Sequence, residues 1–471
     1  MTAWSLTSPL VLEIGVLATA LLVFVADLLL GVGERRGLGA LTAIGLTAVL
    51  GLSFGLDLAG PSWGGAYVAD NLGLYLKQTL LIAGILGTLG SIDHVDKHFP
   101  ERQGEHYLLL LASLTGLMLL TGARDLLLWV VAFELAGVPL YALAALRKAG
   151  DGPEAALKLY LTGAVSSAVL IYGVSLTWGM AGTTSFAGLG LVSAEPLFTV
   201  GMLLILAGVG FKIGAVPFHL WMADTYQGAP APTVALMSVA PKVAAFGGLV
   251  RLYSVGLDDL HHVWAPFVIA LAVLGMVVGN LAALAQTDAR RLLALSGVGH
   301  VGLMLLALGA STPETVGMLV FYAPAYVVTN MGAFLIVGAV VDEQDGDLSA
   351  FAGLSQRNPA LGLAMLLFLL SLAGIPFVVG FWAKVLLLWA AWKAGLAVLV
   401  VLGAILSVVG LFYYLKLGRS IYIEDPPRTA PLVVGTSTRL AIGLCVIGVV
   451  GMGLWPKPFV EGALAAARTL L

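Results

Sequence analysis

Long apolar segments, separated by short polar stretches, run along the whole chain. A membrane-spanning helix needs about 20 mostly apolar residues. Fourteen segments come near or above this length, and the twelfth is too long for one straight helix. They lie at 9–30, 38–57, 71–91, 106–121, 124–146, 156–180, 198–222, 231–253, 263–285, 291–309, 315–341, 359–393, 395–417 and 438–456. The pattern predicts an all-α polytopic membrane protein of about fourteen transmembrane helices, with no soluble domain between them.

A weak internal repeat relates two parts of the chain. Glu154 and Glu314 each end a short Pro-Glu motif that opens a span, and they are 160 residues apart. Pro217 and Pro376 lie in the following spans, 159 residues apart. These spans, the seventh and the twelfth, are an odd number apart, so the two copies would be inverted. Inverted repeats with broken helices form the ion sites of many transporters; chance recurrence of Pro and Gly is the alternative.

Composition agrees with a membrane protein and excludes several chemistries. The chain is 60% hydrophobic and 10% charged, whereas soluble domains carry about 25% charged residues. With a net charge of −3, the chain lacks the excess of basic residues that is typical of nucleic-acid-binding proteins. The single cysteine cannot build an iron–sulfur or zinc site. No GxxxxGK[ST] loop or CxxCH haem motif occurs. No basic region precedes the first apolar run, so we interpret it as a true span.

Nineteen of the 23 Lys and Arg residues remain when the intramembrane Lys77, Lys212, Lys242 and Lys384 are set aside, and they are unevenly distributed. Fourteen of them fall on the side of the odd-numbered loops and five on the other side, among them Arg251. Because cytoplasmic loops carry the excess of Lys and Arg, we predict that both termini lie on the non-cytoplasmic side.

Four charged residues interrupt the apolar segments: Glu134, Lys212, Lys242 and Lys384. A charge at the bilayer centre costs at least about 2.5–3.5 kcal/mol, and burial disfavours the charged form of lysine. These residues are therefore candidate proton-transfer groups, with Glu134 and Lys212 as the preferred carboxylate–lysine pair. The alternatives are a static ion pair for these two, a structural lysine at 242, and a lysine at 384 that reaches the membrane surface.

Prolines lie close to three of these charges. Proline lacks an N–H and clashes with the carbonyl four residues earlier. We predict helix breaks at Pro139, Pro217 and Pro376. A carbonyl freed at such a break can bind water, which a proton path needs inside hydrocarbon.

Other ionisable residues are weaker candidates for proton transfer. Lys158, His219, His300 and Lys416 are candidate relay residues. A plain interfacial lysine is an equal reading of Lys158, helix packing is an equal reading of each histidine, and a structural role is favoured for Lys416. Three further charges near span ends, Glu13, Asp27 and Lys77, are also expected to be structural.

Several motifs resemble those of one known family. Residues 210–233 read GFKIGAVPFHLWMADTYQGAPAPT. In order along the chain there are also FELAGVPLYAL at 133–143, EAALKLYLTGAVSSAVLIYG at 154–173, APKVAAF at 240–246, RRLLALSGVGHVG at 290–302 and GIPFVVGFWAKVLLL at 374–388. Over at least residues 124–420, the chain resembles the antiporter-like membrane subunits of respiratory complex I.

This resemblance implies a domain plan. It places transmembrane helices 1–4 in residues 1–122, a first half-channel bundle in 123–255, a second, inverted half-channel bundle in 256–420 and helix 14 in 421–471. Helices 7 and 12 would be broken within two inverted five-helix repeats. The long lateral helix of larger relatives is expected to be missing.

The resemblance also implies a function and partners. It implies a non-redox subunit that couples electron transfer from NADH to quinone to proton pumping, within a hetero-oligomeric membrane arm in the bacterial cell membrane. NADH, flavin, iron–sulfur clusters and quinone are expected in other subunits, and no cofactor or metal in this chain. The alternatives are a subunit of a multi-subunit cation/proton antiporter or membrane-bound hydrogenase, and a self-sufficient solute transporter.

Overall fold

The computed structural model describes residues 8–56, 61–148, 150–193, 195–341, 346–426, 430–468 and 470. Its helices are α1 Val11–Leu29, α2 Gly37–Ser53, α3 Asn71–His98, α4 Gln103–Gly122, α5 Leu126–Ala144, α6 Gly152–Ala181, α7 Phe186–Leu189, α8 Pro196–Ile213, α9 Trp221–Gly228, α10 Ala231–Arg251, α11 His261–Leu284, α12 Ala289–Ala310, α13 Pro313–Val340, α14 Leu354–Arg357, α15 Pro359–Ala373, α16 Val379–Lys393, α17 Ala397–Tyr422, α18 Thr436–Leu454 and α19 Lys457–Arg468. Two short antiparallel strands, β1 Pro61–Ser62 and β2 Tyr67–Val68, are paired in the loop before α3.

Each of the fourteen predicted segments contains an apolar helix. Twelve helices of the described chain are long and apolar enough to cross a membrane, while α2 and α15 are shorter apolar helices. The polytopic all-α prediction is therefore confirmed. The count of fourteen crossings, the inverted repeats and the four domain boundaries stay predictions. The segment 421–471 was expected to hold one helix, and it holds two, α18 and α19.

Acidic side chains fix the beginnings of several spans. Asp70, Asp125 and Asp288 each accept hydrogen bonds from backbone N–H groups in the first turn of α3, α5 and α12. Such caps satisfy donors that have no partner inside the helix. These three aspartates therefore determine the residue at which α3, α5 and α12 begin.

The helices differ in depth. Nearly all residues of α10, α12 and α13 are buried, whereas α1, α11 and α17 expose much of their apolar surface. Glycine permits the closest approaches: a Cβ on Gly116 of α4 would lie 2.4 Å from the backbone nitrogen of Ala136 in α5. Small residues at helix contacts are typical of membrane bundles. Both charged residues of α10, Lys242 and Arg251, are therefore buried.

Two of the three predicted helix breaks are confirmed. The helical path is interrupted between α8 and α9, around Pro217, and between α15 and α16, around Pro376. Gly214 and Gly374 end the first helix of each pair with φ of 76° and 88°, a conformation that glycine adopts without strain.

The prediction for Pro139 is wrong. Helix α5 continues through it from Leu126 to Ala144. A proline inside a membrane helix removes one backbone hydrogen bond, and neighbouring helices can keep the rest of the helix intact. Both real breaks combine a proline with a left-handed glycine, which α5 lacks next to Pro139.

Candidate functional site

The first break positions Lys212 in the last turn of α8. Its Nζ donates to the phenolic oxygen of Tyr141 in α5 at 2.5 Å and lies 4.9 Å from the centre of that ring. Gly137, one turn before Tyr141, provides the space for the lysine nitrogen, since a Cβ at this position would lie only 2.6 Å from it. The ammonium therefore rests against one face of α5.

Glu134 does not form the direct ion pair preferred from the sequence. Its carboxylate accepts a hydrogen bond from the Ser167 hydroxyl at 2.5 Å, and no contact within 4 Å joins it to Lys212. Glu134 and Tyr141 are seven residues apart on α5, about 10 Å along the helix axis. The lysine nitrogen lies beside Gly137, between these two residues, and without a direct contact the carboxylate acts on it only through space.

Lys242 lies in the middle of α10 and is 2% exposed. Its Nζ donates to the Ser238 carbonyl of its own helix at 2.7 Å. The rings of Tyr226 and Tyr326 lie 5.9 Å and 5.7 Å from this nitrogen, within the range of cation–π attraction. The ammonium is thus surrounded by neutral oxygen and aromatic faces.

The second break positions Lys384 in α16. The residue is 7% exposed, and its Nζ donates to the Ala373 carbonyl at the end of α15, at 3.2 Å. The lysine therefore caps the helix that the break interrupts. The alternative of a lysine reaching the membrane surface is wrong, because the side chain is buried inside the bundle.

His300 of α12 lies between Lys242 and Lys384. Its Nδ1 and Nε2 lie 2.6 Å and 3.2 Å from the hydroxyls of Tyr322 and Tyr414. Its ring centre is 5.4 Å from that of Tyr326, which flanks Lys242. On its other side it shares a cavity of about 10 Å³ with Lys384, close to the least space that holds one water molecule.

A second small cavity lies on the path between Lys212 and Lys242. It measures about 30 Å³ and is lined by Lys212 and by Pro241, the residue directly before Lys242. We call Lys212, Lys242 and Lys384 the lysine file. Among the residues that the structure describes, none of the three has a carboxylate within 4 Å.

Two candidate relay residues lie outside this path. Lys158 is 44% exposed and pairs with Glu154 at 2.8 Å and with Asp224 at 2.7 Å. Asp224 also binds Arg291 at 2.6 Å, so this cluster ties α6, α9 and α12 together. Lys416 is exposed and donates to the Gln286 carbonyl at 3.2 Å.

His219 lies within the first break itself. It is 8% exposed, and its Nδ1 has no hydrogen-bond partner in the described part of the chain.

The sequence did not reveal the neutral partners of the lysines or the buried pair of Arg251 and Asp70. Tyr141 stands in the quoted motif FELAGVPLYAL, seven residues after Glu134, and this spacing was the available signal. Arg251, counted from the sequence among the five basic residues of the other side, is fully buried and binds both carboxylate oxygens of Asp70. Lys77 pairs with Glu13 at 2.8 Å, in agreement with a structural role for both.

The fold and the site together define a class of protein. The chain is a multi-pass helical membrane protein in which two helix breaks, the half-buried Lys212, the buried Lys242 and Lys384 and a buried histidine follow one another through the bundle.

Comparison with known proteins gives the family. The sequence profile described as NADH:quinone oxidoreductase/Mrp antiporter, TM matches residues 123–410. A relative from Moorella thermoacetica, named NADH-quinone oxidoreductase subunit N, is 38% identical over 466 residues, covering 97% of this chain and 96% of the relative. The chain therefore belongs to the NADH:quinone oxidoreductase/Mrp antiporter transmembrane family.

Solved structures agree with this fold. A chain of respiratory complex I from Thermus thermophilus matches with a TM-score of 0.82 and 32% identity, covering 96% of this chain and 98% of that one. A chain of the Mrp complex from Dietzia matches with a TM-score of 0.86 at 20% identity, covering 100% and 98%. The second likeness is evidence for the fold alone.

Proposed function

We propose that this chain is a non-redox, proton-translocating membrane-arm subunit of a bacterial NADH:quinone oxidoreductase. One observation carries the proposal: the lysine file runs from the half-buried Lys212 to the buried Lys242 and Lys384, and no carboxylate of the described residues lies within 4 Å of any of them. A lysine whose partners are neutral oxygens and aromatic faces can give up its proton without leaving a buried carboxylate uncompensated. Relatives named as subunit N of this enzyme support the assembly.

Each residue of the site has a proposed part in the transfer. The phenol oxygen of Tyr141 accepts a hydrogen bond from the Lys212 ammonium and so holds it in place. Glu134 adds a negative potential through space. Lys242 takes up the proton across the small cavity beside Pro241. His300, with hydroxyls at both ring nitrogens, carries it toward Lys384 at the second break.

The translocase activity belongs to the whole assembly. The redox step needs NADH, flavin, iron–sulfur clusters and quinone, which we place in other subunits. Energy therefore reaches the lysine file through the neighbouring membrane-arm subunits.

We also propose that the chain lies in the bacterial cell membrane with both termini on the non-cytoplasmic side. Basic residues of the third, fifth and ninth loops line one cavity at one end of the bundle, which supports this orientation.

The substitution Lys212→Ala tests the proposal. We expect the complex to assemble and proton pumping to fall by at least about tenfold, since proton transfer by a positioned side chain contributes about 10²–10⁴-fold in enzymes. Pumping is measured in proteoliposomes with a pH-sensitive dye while NADH reduces quinone. Lys457→Ala, at a position that is 76% exposed on α19, is the control. Wild-type pumping by an assembled Lys212→Ala complex would exclude Lys212 as a proton carrier.

A second experiment separates this function from an independent transporter. The purified chain is reconstituted alone in vesicles, and a proton gradient is imposed. We expect no saturable exchange of sodium, potassium or a small solute. Robust exchange by the chain alone would contradict the subunit assignment.

A further inference from the structure

A cavity of about 600 Å³ opens at the end of the bundle where the odd-numbered loops gather. Its walls come from the chain around the 3-10 turn Pro100–Arg102, the segment after α5, the start of α10 and the adjoining ends of α12 and α13. Four basic side chains line it: Arg102, Arg147, Lys148 and Arg290. Among its described lining residues, Glu101 is the only carboxylate.

In the part of the chain that the structure describes, these cations have few acidic partners. Within the described ranges, no carboxylate lies within 4 Å of Arg102, Arg147 or Lys148. Arg290 meets Asp288 only at 3.5 Å, and its Nε is buried without a hydrogen-bond partner. A buried guanidinium nitrogen without an acceptor costs free energy, so the cavity favours a ligand that supplies oxygen acceptors.

The backbone adds to the positive potential. The 21-residue helix α10 begins at Ala231 in the cavity wall, and no side chain caps its first N–H groups. The N-terminus of a helix carries a partial positive charge of about half an elementary charge, which attracts phosphate and other anions. Arginine is also suited to phosphate, because its planar fork binds two oxygens at once.

We propose that this cavity is an anion site that binds a phosphate group, supplied by the headgroup of an anionic phospholipid or by free phosphate. Basic pockets between transmembrane helices on the cytoplasmic side are typical sites for such headgroups. The site is separate from the lysine file, because none of its lining residues belongs to the proposed proton path. It extends the role of the chain from proton transfer to ligand binding at the membrane surface.

A charge-matched pair of variants tests the proposal in the intact complex. Arg102→Gln with Arg147→Gln removes two charges from the cavity. Arg419→Gln with Arg439→Gln removes two exposed charges from the same side of the protein. Native mass spectrometry counts phosphatidylglycerol and phosphatidylcholine retained by each complex, and equilibrium dialysis measures binding of radiolabelled inorganic phosphate.

We expect the cavity variant to lose phosphatidylglycerol or phosphate by about tenfold or more, since each basic side chain near an anionic lipid surface contributes several-fold in affinity. The control variant and phosphatidylcholine retention should not change. Loss of phosphatidylglycerol alone would identify the ligand as a lipid headgroup, and loss of inorganic phosphate alone would identify it as free phosphate. Either result supports the proposed anion site.

The proposal is overturned if the cavity variant binds both probes as the control does, or if the wild-type complex binds neither. If the double variant does not assemble, the single substitution Lys148→Gln, at an exposed position of the cavity rim, replaces it in the same experiment. It should weaken the same probe about threefold, and unchanged binding would again contradict the site.

Discussion

Two groups of buried charges in this molecule differ in their partners. In the first group, every cation meets a carboxylate: Lys77 pairs with Glu13 at 2.8 Å, and Arg251 pairs with Asp70 through both carboxylate oxygens. In the second group, the lysine file, the ammonium groups meet a phenol, backbone carbonyls and aromatic rings. Both groups lie inside the same apolar bundle.

The difference separates structural charges from charges that can change. Removing one member of a buried ion pair leaves the other charge uncompensated, so a paired cation is held in its charged state. A phenol or carbonyl oxygen accepts a hydrogen bond from an ammonium or from a neutral amine alike. The lysine file is therefore able to cycle between two protonation states, whereas the paired group fastens helices to one another.

The largest effect is expected on stability at the Arg251–Asp70 pair. Asp70→Asn keeps a helix-capping side chain but removes the charge, and should destabilise the protein by about 3–5 kcal/mol. Thermal unfolding of the purified protein measures this, with the exposed Asp258→Asn as control. Equal melting temperatures for the two variants would place the Arg251–Asp70 pair outside the structural group.

The same pair predicts a pH dependence. Burial raises the pKa of the Asp70 carboxyl, but the bound Arg251 guanidinium outweighs this and holds that pKa below its usual range. A carboxyl with a lowered folded pKa contributes its stability above the unfolded value of about 3.9 and loses it as the pH falls through the folded pKa. Wild-type protein should therefore keep this contribution from neutral pH down to about pH 4. Asp70→Asn should lack it at every pH.

A smaller effect, on pumping, is expected at Tyr141. Tyr141→Phe removes the hydroxyl that binds Lys212, and hydrogen bonds to charged groups contribute about 1.5–3 kcal/mol, so pumping should fall by about tenfold or more. Tyr160→Phe is the matched control, because its ring lies 6.3 Å from that of Tyr141 on an exposed surface. If both variants pump alike, the phenol is not part of the transfer.

Glu134→Gln should have the smallest effect of the series. The carboxylate makes no contact within 4 Å with Lys212, so it lacks the direct hydrogen bond that Tyr141 makes, and a partly screened charge acting through space contributes on the order of 1 kcal/mol. Pumping should fall by less than about tenfold. A loss larger than that of Tyr141→Phe would show that Glu134 contacts the lysine directly during turnover.

The sequence was sufficient for most of the fold. Apolar segments of spanning length can form only helices with internally satisfied backbones, so the helical regions followed from hydropathy. The breaks near Pro217 and Pro376 were predicted from proline alone, and the left-handed glycine that accompanies each of them emerged only from the structure. Proline alone was an insufficient signal, and the prediction for Pro139 was wrong because α5 remains helical through it.

The site was predictable only in part. Lys212, Lys242 and Lys384 stood out because charge is costly in an apolar segment. Their partners did not, because Tyr141 and Tyr326 resemble ordinary packing residues in a sequence. Glu134 was assigned to Lys212 on charge, whereas the contact depends on which side chain of α5 the end of α8 reaches, and that is Tyr141. Arg251 lies at a helix end, and only the approach of Asp70 across the bundle reveals that it is buried.

The central claim is tested most directly by arginine substitutions in the two groups. Arginine keeps its proton at every physiological pH. Lys212→Arg therefore preserves the charge and prevents its loss, and a small cavity beside Lys212 gives the larger side chain some room. Proton pumping and NADH oxidation are measured together in proteoliposomes for Lys212→Arg and Lys77→Arg. We predict that Lys212→Arg assembles and does not pump, while Lys77→Arg pumps like the wild type; normal pumping by Lys212→Arg would contradict the account.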